Sequence, residues 1–469
     1  MLSVRTSFLK LSSAKYLKRI LCNPVVWKST FHHEEGYGYR VDHHHGEHLH
    51  DVEPQKRIGP LDGVRVCDLS RVLAGPYCTQ ILGDMGAEVI KVERPGVGDD
   101  TRHFGPPFVD GESCYYLSIN RNKKSIAIDM KKPEGKDIIY ELVKSSDVFV
   151  ENFAHGKIDA LGFGYEELKK INPSLVYASI CGFGFQGPER NKPGYDLIAQ
   201  AVGGLMSITG PEGGNSCIVG ISITDIMTGM YANGAILSAL YERMITGKGK
   251  KIDTSLLQTQ VAFLCHVASN YLNTGRIATR HGTAHGTIVP YQAFATADGR
   301  EIALAAANNK HFQNAMKALD LPELLEDARF ESNPKRVENR KELIKIIEDK
   351  MQTQTCEHWL EKLNNVGVPC GRVNNVKEVF EMPQVAHLDL VQSIPHPTIG
   401  RINVAGSPVA YNGESVLHPP VHPPILGEHT VDVLKELNYS DHDIRTLLEK
   451  NVIEDGSLLE EVEKMAMTG

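Results

Sequence analysis

From Pro60 onward the chain repeats one pattern: a short, nearly continuous apolar run, a stretch of helical periodicity, then another short run. Val64–Leu69 (VRVCDL), Ala87–Glu93 (AEVIKVE), Ser125–Met130 (SIAIDM), Asp147–Phe153 (DVFVENF) and Ser174–Ile180 (SLVYASI) read as strands. Pro76–Met85, Lys132–Ser146 (opened by Pro133) and Tyr165–Ile171 read as the helices between them. Such apolar runs suit strands buried on both faces, and strands that alternate with helices are parallel, with helices covering the sheet on either side. The N-terminal half is therefore expected to be doubly wound, Rossmann-like α/β.

Past residue 220 the pattern changes. Gly220–Gly249 (GISITDIMTGMYANGAILSALYERMITGKG) sets Ile226, Met230, Leu237, Leu240 and Met244 at helical spacing, with small Gly229, Ala232 and Gly234 that let another backbone come close. Gly247 and Gly249 end this buried helix, and Lys248, Lys250 and Lys251 place cations beside its unpaired carbonyls. Its start is read at Asp225. Two roles are open there: a cap for orphan N–H groups, or a carboxylate nucleophile toward an activated acyl group. A strand at Lys251–Asp253 and one helix over Ser255–Leu272 follow. Val289–Ala305 alternates around Ala297-Asp298-Gly299 as an antiparallel hairpin, with helices at Lys310–Leu319 and Val337–Lys350. Gly367–Val373 (GVPCGRV) and the Pro-rich Pro419–Pro424 lead to a last helix, Glu428–Leu437. The expected division is a large α/β domain of residues 60–220 and 355–453, with 221–354 forming a helical linker and a small α+β domain.

No apolar run approaches the roughly 20 residues that a membrane span needs. The first 33 residues carry six Lys or Arg and no Asp or Glu, which reads as a mitochondrial transit peptide, the other reading being a disordered basic tail. Without them the formal charge moves from −8 to −14, a poor balance for a nucleic-acid partner. Residues 34–59 read as a flexible His-rich linker: Phe31–Asp51 holds seven of the twenty histidines, without the regular Cys/His spacing of a folded metal site. The nine cysteines include no C-x-x-C pair and suit reduced thiols in a matrix-like compartment, with no structural disulfide.

Gly182–Gly187 (GFGFQG) satisfies the dinucleotide expression G-x-G-x-x-G, but Pro188 and the charged turn ERNKPG follow where a helix should start. A nicotinamide or flavin site is not expected there. No Walker, H-E-x-x-H or G-x-S-x-G sequence is present, so phosphoryl transfer, zinc hydrolysis and serine hydrolysis lose their usual signatures. Arg280–Tyr291 (RHGTAHGTIVPY) brings two glycines and two histidines into an apolar approach to the hairpin, as a lid over a site or as a plain turn.

Together these stretches resemble the class III CoA-transferases, the group that includes formyl-CoA, carnitine and bile-acid CoA-transferases. The resemblance runs from about Pro60 to Ile453. It rests on PLDGVRVCDLSRVLAGPYCTQILGDMGAEVIKVERPGVGDDTR, NRNKKSIAIDMKKPEG, VFVENF, GYDLIAQAVGGLMSITG, the Asp225 segment, TAHGTIVPYQAFATADG, GVPCG and PPILGEHT. NRNKKSIAI, GDDTR with GPPFV, and GTAHGTIVPYQAF resemble the members that move CoA from succinyl-CoA to glutarate, 3-hydroxy-3-methylglutarate or a similar dicarboxylate.

The resemblance implies that Asp225 is the nucleophile, forming acyl-enzyme and enzyme-thioester intermediates, and that the large domain binds CoA. Val72, Leu73, Ala74, Arg94, Ile128, Met130, Lys131, Asn152 and Phe153 stand at positions matching family CoA contacts, with Arg94 and Lys131 suited to its phosphates. The blander alternative is that both are solvated charges at strand ends. Asp196 matches a second carboxylate near the nucleophile. His281, Gly282, His285 and Gly286 match the family's substrate loop, and Arg280, His281 and His285 are candidates for an acceptor's distal carboxylate. Ala160 stands where relatives often carry Arg, and Pro193 where one carries Lys; Lys157 and Lys192 are neighbouring substitutes. Racemases of the superfamily carry His where this chain has Tyr195, which argues against 2-methylacyl-CoA racemisation; an inert acyl-CoA-binding protein is the other alternative. CoA enters as substrate, no metal or redox cofactor is implied, and the family's interlocked homodimer in the mitochondrial matrix is expected.

Overall fold

The computed structural model describes residues 59–413 and 419–457. The expected transit peptide and almost all of the His-rich linker lie outside them. The first half contains β1 (Arg65–Asp68), α1 (Ala74–Asp84), β2 (Glu88–Glu93), β3 (Lys123–Ile128), α2 (Pro133–Ser145), β4 (Val148–Glu151), α3 (Tyr165–Ile171) and β5 (Val176–Cys181). Then come α4 (Asp196–Val202), the long α5 (Ile223–Thr246) and β6 (Lys251–Ser255). The six strands run parallel in the order β3-β2-β1-β4-β5-β6, and the winding order reverses between β1 and β4. Successive side chains leave a strand on opposite faces. Cys67, Ile90, Ile126 and Phe149 therefore pack under Ile138 and Leu142 of α2 and Leu168 of α3, while Val66, Val89, Val148 and Val176 pack under α1 and α5. Burial on both faces is what the apolar runs implied.

Two helical readings change. α5 starts two residues before Asp225, with Ser222 at its N-cap, and ends as expected at Gly247 in the left-handed region. Only one face is buried. Gly229, Ala232, Ile236 and Leu240 face α1 and the sheet, whereas Met230, Tyr231, Tyr241, Met244 and Ile245 are exposed. The sheet can cover only one side of a helix. Gly229 marks the closest approach, since a Cβ there would lie 2.6 Å from Ala74 O of α1. The single helix expected over Ser255–Leu272 is two, α6 (Leu256–Phe263) and α7 (Cys265–Thr274), broken where Cys265 takes φ 45°.

A second core forms around the antiparallel hairpin β7 (Tyr291–Ala295) and β8 (Glu301–Ala305), with α8 (Asn309–Ala318), α9 (Asn333–Glu338), α10 (Arg340–Met351) and α11 (Cys356–Asn365). β9 (Cys370–Arg372), from GVPCGRV, adds a third strand beside β8. Trp359, Leu363 and Val368 belong to this core with Phe294, Leu304 and Phe312. By packing, the chain leaves it after β9 and not at residue 355.

The C-terminal portion holds an unanticipated hairpin, β10 (Val391–His396) with β11 (Gly400–Ala405), then α12 (Thr430–Glu436) where a helix was expected. α13 (Asp441–Glu449) follows, opened by a Ser440/Asp443 capping box. β12 (Ile453–Glu454) then pairs antiparallel with β3, opposite Ile128 and Ala127, and closes that sheet edge. Among the described residues, no helix is long and apolar enough to cross a membrane, and the eight cysteines are free.

Candidate active site

In open parallel sheets, ligands bind outside the carboxyl ends of the strands where the strand order reverses. Here that point lies between β1 and β4. The chains leaving these two strands are tied by Asn152, whose Oδ1 accepts from Arg71 N at 2.9 Å and whose Nδ2 donates to Arg71 O at 2.6 Å. Beside this tie opens a cleft of about 230 Å³. Of the residues expected at CoA, Arg94, Ile128, Met130, Lys131 and Phe153 line it, and so does Lys157, the proposed substitute near Ala160. Val72, Leu73 and Ala74 do not line it but run from its rim into α1. Arg94 and Lys131 line the cleft, are exposed, and form no ion pair among the described residues. A larger depression of about 540 Å³ lies at the opposite ends of the strands. There Arg65 and Lys124 pair with Glu88 and Glu436, and so volume alone does not mark the site.

The nucleophile candidate sits in the first turn of α5. Its cap position is filled by Ser222, which makes no side-chain cap bond and lies beside Tyr115. The orphan amides are taken by the other carboxylate: Asp196 Oδ1 accepts from Thr224 N at 2.7 Å and from Asp225 N at 3.3 Å. Asp196 is itself held by Gln200, whose Nε2 donates to Oδ2 at 2.6 Å, and Gln200 Oε1 accepts from Val219 N at 3.1 Å. Thr224 Oγ1 donates to Gln260 Oε1 at 2.7 Å. Asp196 thus does the capping that local sequence offered to Asp225. No hydrogen bond to the Asp225 carboxylate is found among the described residues. Burial first, and then the nearby Asp196 charge, push its pKa up to about 7. A carboxylate with little solvation and no donor is more basic and more nucleophilic than a solvated one. The cleft and Asp225 are linked through α1: Ser70 and Arg71 line the cleft, and Ala74 meets α5 at Gly229, one turn beyond Asp225. Tyr115, Gln200, Ser222 and Gln260 were missed in sequence; the Asp196/Gln200 spacing of four was the one available signal.

Residues 280–291 are placed differently. Gly282 N donates to Gly210 O and His285 N to Tyr291 O, both at 2.9 Å. Arg280 donates from Nε to Gly214 O and from Nη1 to Ser207 O, each at 3.1 Å. His285 Nδ1 accepts from Thr287 N at 3.1 Å, and burial together with His266, Arg340 and His281 lowers its pKa, so it is a neutral imidazole. His281 and Gly286 lie beside it. No hydrogen bond or ion pair joins this loop to Asp225 among the described residues. The false dinucleotide motif forms bends, and Cys181 Sγ accepts from Gly184 N at 3.2 Å.

A doubly wound sheet with a bare carboxylate near its ligand cleft is an arrangement suited to acyl transfer, and comparison makes the class definite: this is a CoA-transferase. The chain matches CoA-transferase family III over residues 61–430 and belongs to that family. It is 52% identical over 398 residues to the succinyl-CoA:glutarate CoA-transferase of Homo sapiens, covering 85% of this chain and 90% of that one. It is 41% identical over 398 residues to the succinate–glutarate CoA-transferase of Agrobacterium fabrum, covering 81% and 96%. The crystal structure of a CAIB/BAIF family protein from Brucella suis matches with a TM-score of 0.72 at 39% identity, covering 81% of this chain and 99% of that one.

Proposed function

We propose that this enzyme moves CoA from succinyl-CoA to glutarate, 3-hydroxy-3-methylglutarate or a similar dicarboxylate through covalent intermediates on Asp225. The observation that carries this reading is the Asp225 carboxylate, poorly solvated and without a donor among the described residues because Asp196 takes the amides around it. The names of the human and Agrobacterium relatives support the donor and acceptor.

Asp225 attacks the thioester carbonyl and the CoA thiolate leaves, giving a mixed succinyl–aspartyl anhydride. The thiolate then attacks the aspartyl carbonyl and expels succinate, leaving an aspartyl-CoA thioester. The acceptor carboxylate attacks that thioester, again releasing thiolate and forming a new anhydride. Attack of the thiolate on the acceptor's acyl carbon makes the product thioester and restores Asp225. No proton is gained or lost over the cycle, so the chemistry requires no general acid at Asp225. CoA lies in the cleft, its phosphates near Arg94, Lys131 and Lys157 and its adenine against Ile128 and Phe153. Amides of the 280–291 loop supply the oxyanion donors.

The test is exchange between succinyl-CoA and glutarate, followed as glutaryl-CoA, in wild type and Asp225→Asn. Wild type forms product, and the variant loses roughly 10⁴-fold or more. No acyl-CoA from any of a panel of dicarboxylates would end the transferase assignment for these substrates. A variant within tenfold of wild type would end the nucleophile assignment.

We read the chain further as an interlocked homodimer. The exposed apolar face of α5, with Tyr271 and Leu272 also exposed, supports this; a monomeric mass by sedimentation at micromolar concentration would contradict it. Residues 1–33 address it to the mitochondrial matrix, which an intact Met1 on protein isolated from mitochondria would refute.

A further inference from the structure

The block GDDTR, residues 98–102, reaches the wall of the cleft through Gly98 and Asp99, which line it with Lys91, and the chemistry above does not use it. Asp99 and Lys91 are fully buried side by side, with Nζ to Oδ2 at 2.8 Å. Each also grips the chain leaving β1. Lys91 Nζ donates to Ser70 O at 2.8 Å, and Asp99 Oδ1 accepts from Val72 N at 3.1 Å. Asp99 is fixed by Thr101, whose N–H and hydroxyl donate to Oδ1 at 3.0 and 2.9 Å, and by its own N–H, which donates to Glu93 Oε1 at 2.9 Å. Arg102 locks Glu93 with bonds of 2.9 and 2.7 Å. On the outside, Arg71 Nη1 donates to Asp100 Oδ2 at 2.9 Å.

What this framework holds is unfavourable on its own. Val72 has φ 68°, in the left-handed region that a β-branched side chain avoids. An outlier of this kind persists only where its surroundings over-determine it. Leu73, the N-cap of α1, has no side-chain cap bond that would fix the helix start independently. Relaxation of Val72 to an extended conformation would swing Ala74, and hence the contact of α1 with α5 beside Asp225, away from Ser70 and Arg71 at the cleft.

We propose that the Lys91–Asp99 pair is a positioning device: it holds Val72 in its left-handed turn, so that the cleft and Asp225 keep the separation at which a bound thioester meets the carboxylate. This rests on the reading of the cleft as the CoA site and of Asp225 as the nucleophile.

The test replaces both charges together, Lys91→Met/Asp99→Leu, so that no buried charge is orphaned. A misplacement of about 1 Å costs on the order of 10²-fold, so kcat falls by about that factor. Val72→Gly added to this background restores kcat roughly tenfold, because glycine takes positive φ without a brace. A merely structural pair would lower the unfolding midpoint with no rescue by glycine, and either absence of rescue or an unchanged kcat in the paired variant overturns the proposal. Should the paired variant not fold, Val72→Gly alone decides: a strained valine predicts an unfolding midpoint equal to or above wild type, and a fall of several degrees overturns the inference. Failure of the underlying reading shows separately, as wild type that binds no CoA or as full activity in Asp225→Asn.

Discussion

At the carboxyl ends of β1–β4 the cleft is made of side chains standing on strands buried on both faces, over a floor of paired charges; residues 280–291 are fixed almost wholly through their backbone. Asn333 donates to Thr287 O at 2.8 Å and accepts from Val289 N at 3.2 Å, and Arg336 Nε donates to Val289 O at 2.8 Å. Arg340 Nη2 donates to His285 O and Gly286 O at 2.8 and 3.0 Å. Three residues at i, i+3 and i+7 along α9 and the start of α10 thus grip the loop from His285 to Val289. The cleft is positioned by local strand geometry and the loop by distant side chains. The first should therefore govern binding of the large substrate, and the second the rate of reaction.

The largest separation is expected from Arg94→Ala/Lys131→Ala. Loss of two charge-assisted contacts should raise KM for succinyl-CoA by on the order of 10–100-fold with kcat nearly unchanged; an equal fall in kcat would show that these cations serve the chemistry. Arg340→Ala should do the reverse. It frees the carbonyls of His285 and Gly286 and should lower kcat about tenfold, the scale of a mis-set oxyanion donor, with KM for succinyl-CoA preserved. A change confined to KM would merge the two regions into one.

The smallest effect is in pH dependence. With Asp225 pushed up to about 7, kcat/KM should fall tenfold per pH unit below that value and level off above it, and Asp196→Asn should move the limb to lower pH by removing the like charge. For stability the sign is fixed by the raised value. The contribution of protonated Asp225 is present in full below its ordinary 3.8 and is lost as pH rises through about 7. Asp225→Asn should therefore gain a little in unfolding midpoint over wild type at pH 8 relative to pH 5. An identical difference at both pH values would place the limb on another group.

The same contrast explains what could be read in the sequence. Strand runs such as Val64–Leu69 and Ala87–Glu93 carry their burial in their composition, so the sheet was legible; the residues expected at CoA came from the family resemblance alone. Asp225 was legible only as an ambiguity, because the group that relieves it of capping, Asp196, lies 29 positions away and acts through space. The break at Cys265 leaves no Gly or Pro to betray it. β10 and β11 had a usable signal in Ile394, Ile402 and Val404 around Gly400, and α13 one in Ser440 and Asp443. β12 is only two residues long and has no periodicity to detect. The loop clamp was illegible because Arg336 and Arg340 bind carbonyls, which every residue possesses.

β12 also has a consequence in time. β3 carries Ile128 at the cleft, yet its outer edge is covered by residues from the far end of the chain: His429 and Thr430 bond Ser125 and Ala127, and Ile453 and Glu454 pair with Ile128 and Ala127. As the chain emerges from a ribosome, the N-terminal strands can collapse early while β3 keeps an open row of N–H and C=O groups, the kind of edge that recruits other chains. The cleft is therefore finished only by the last described strand. A message cut short before α12 would yield a nascent chain with its nucleophile in place and a sticky sheet edge, a substrate for chaperones before it is one for catalysis.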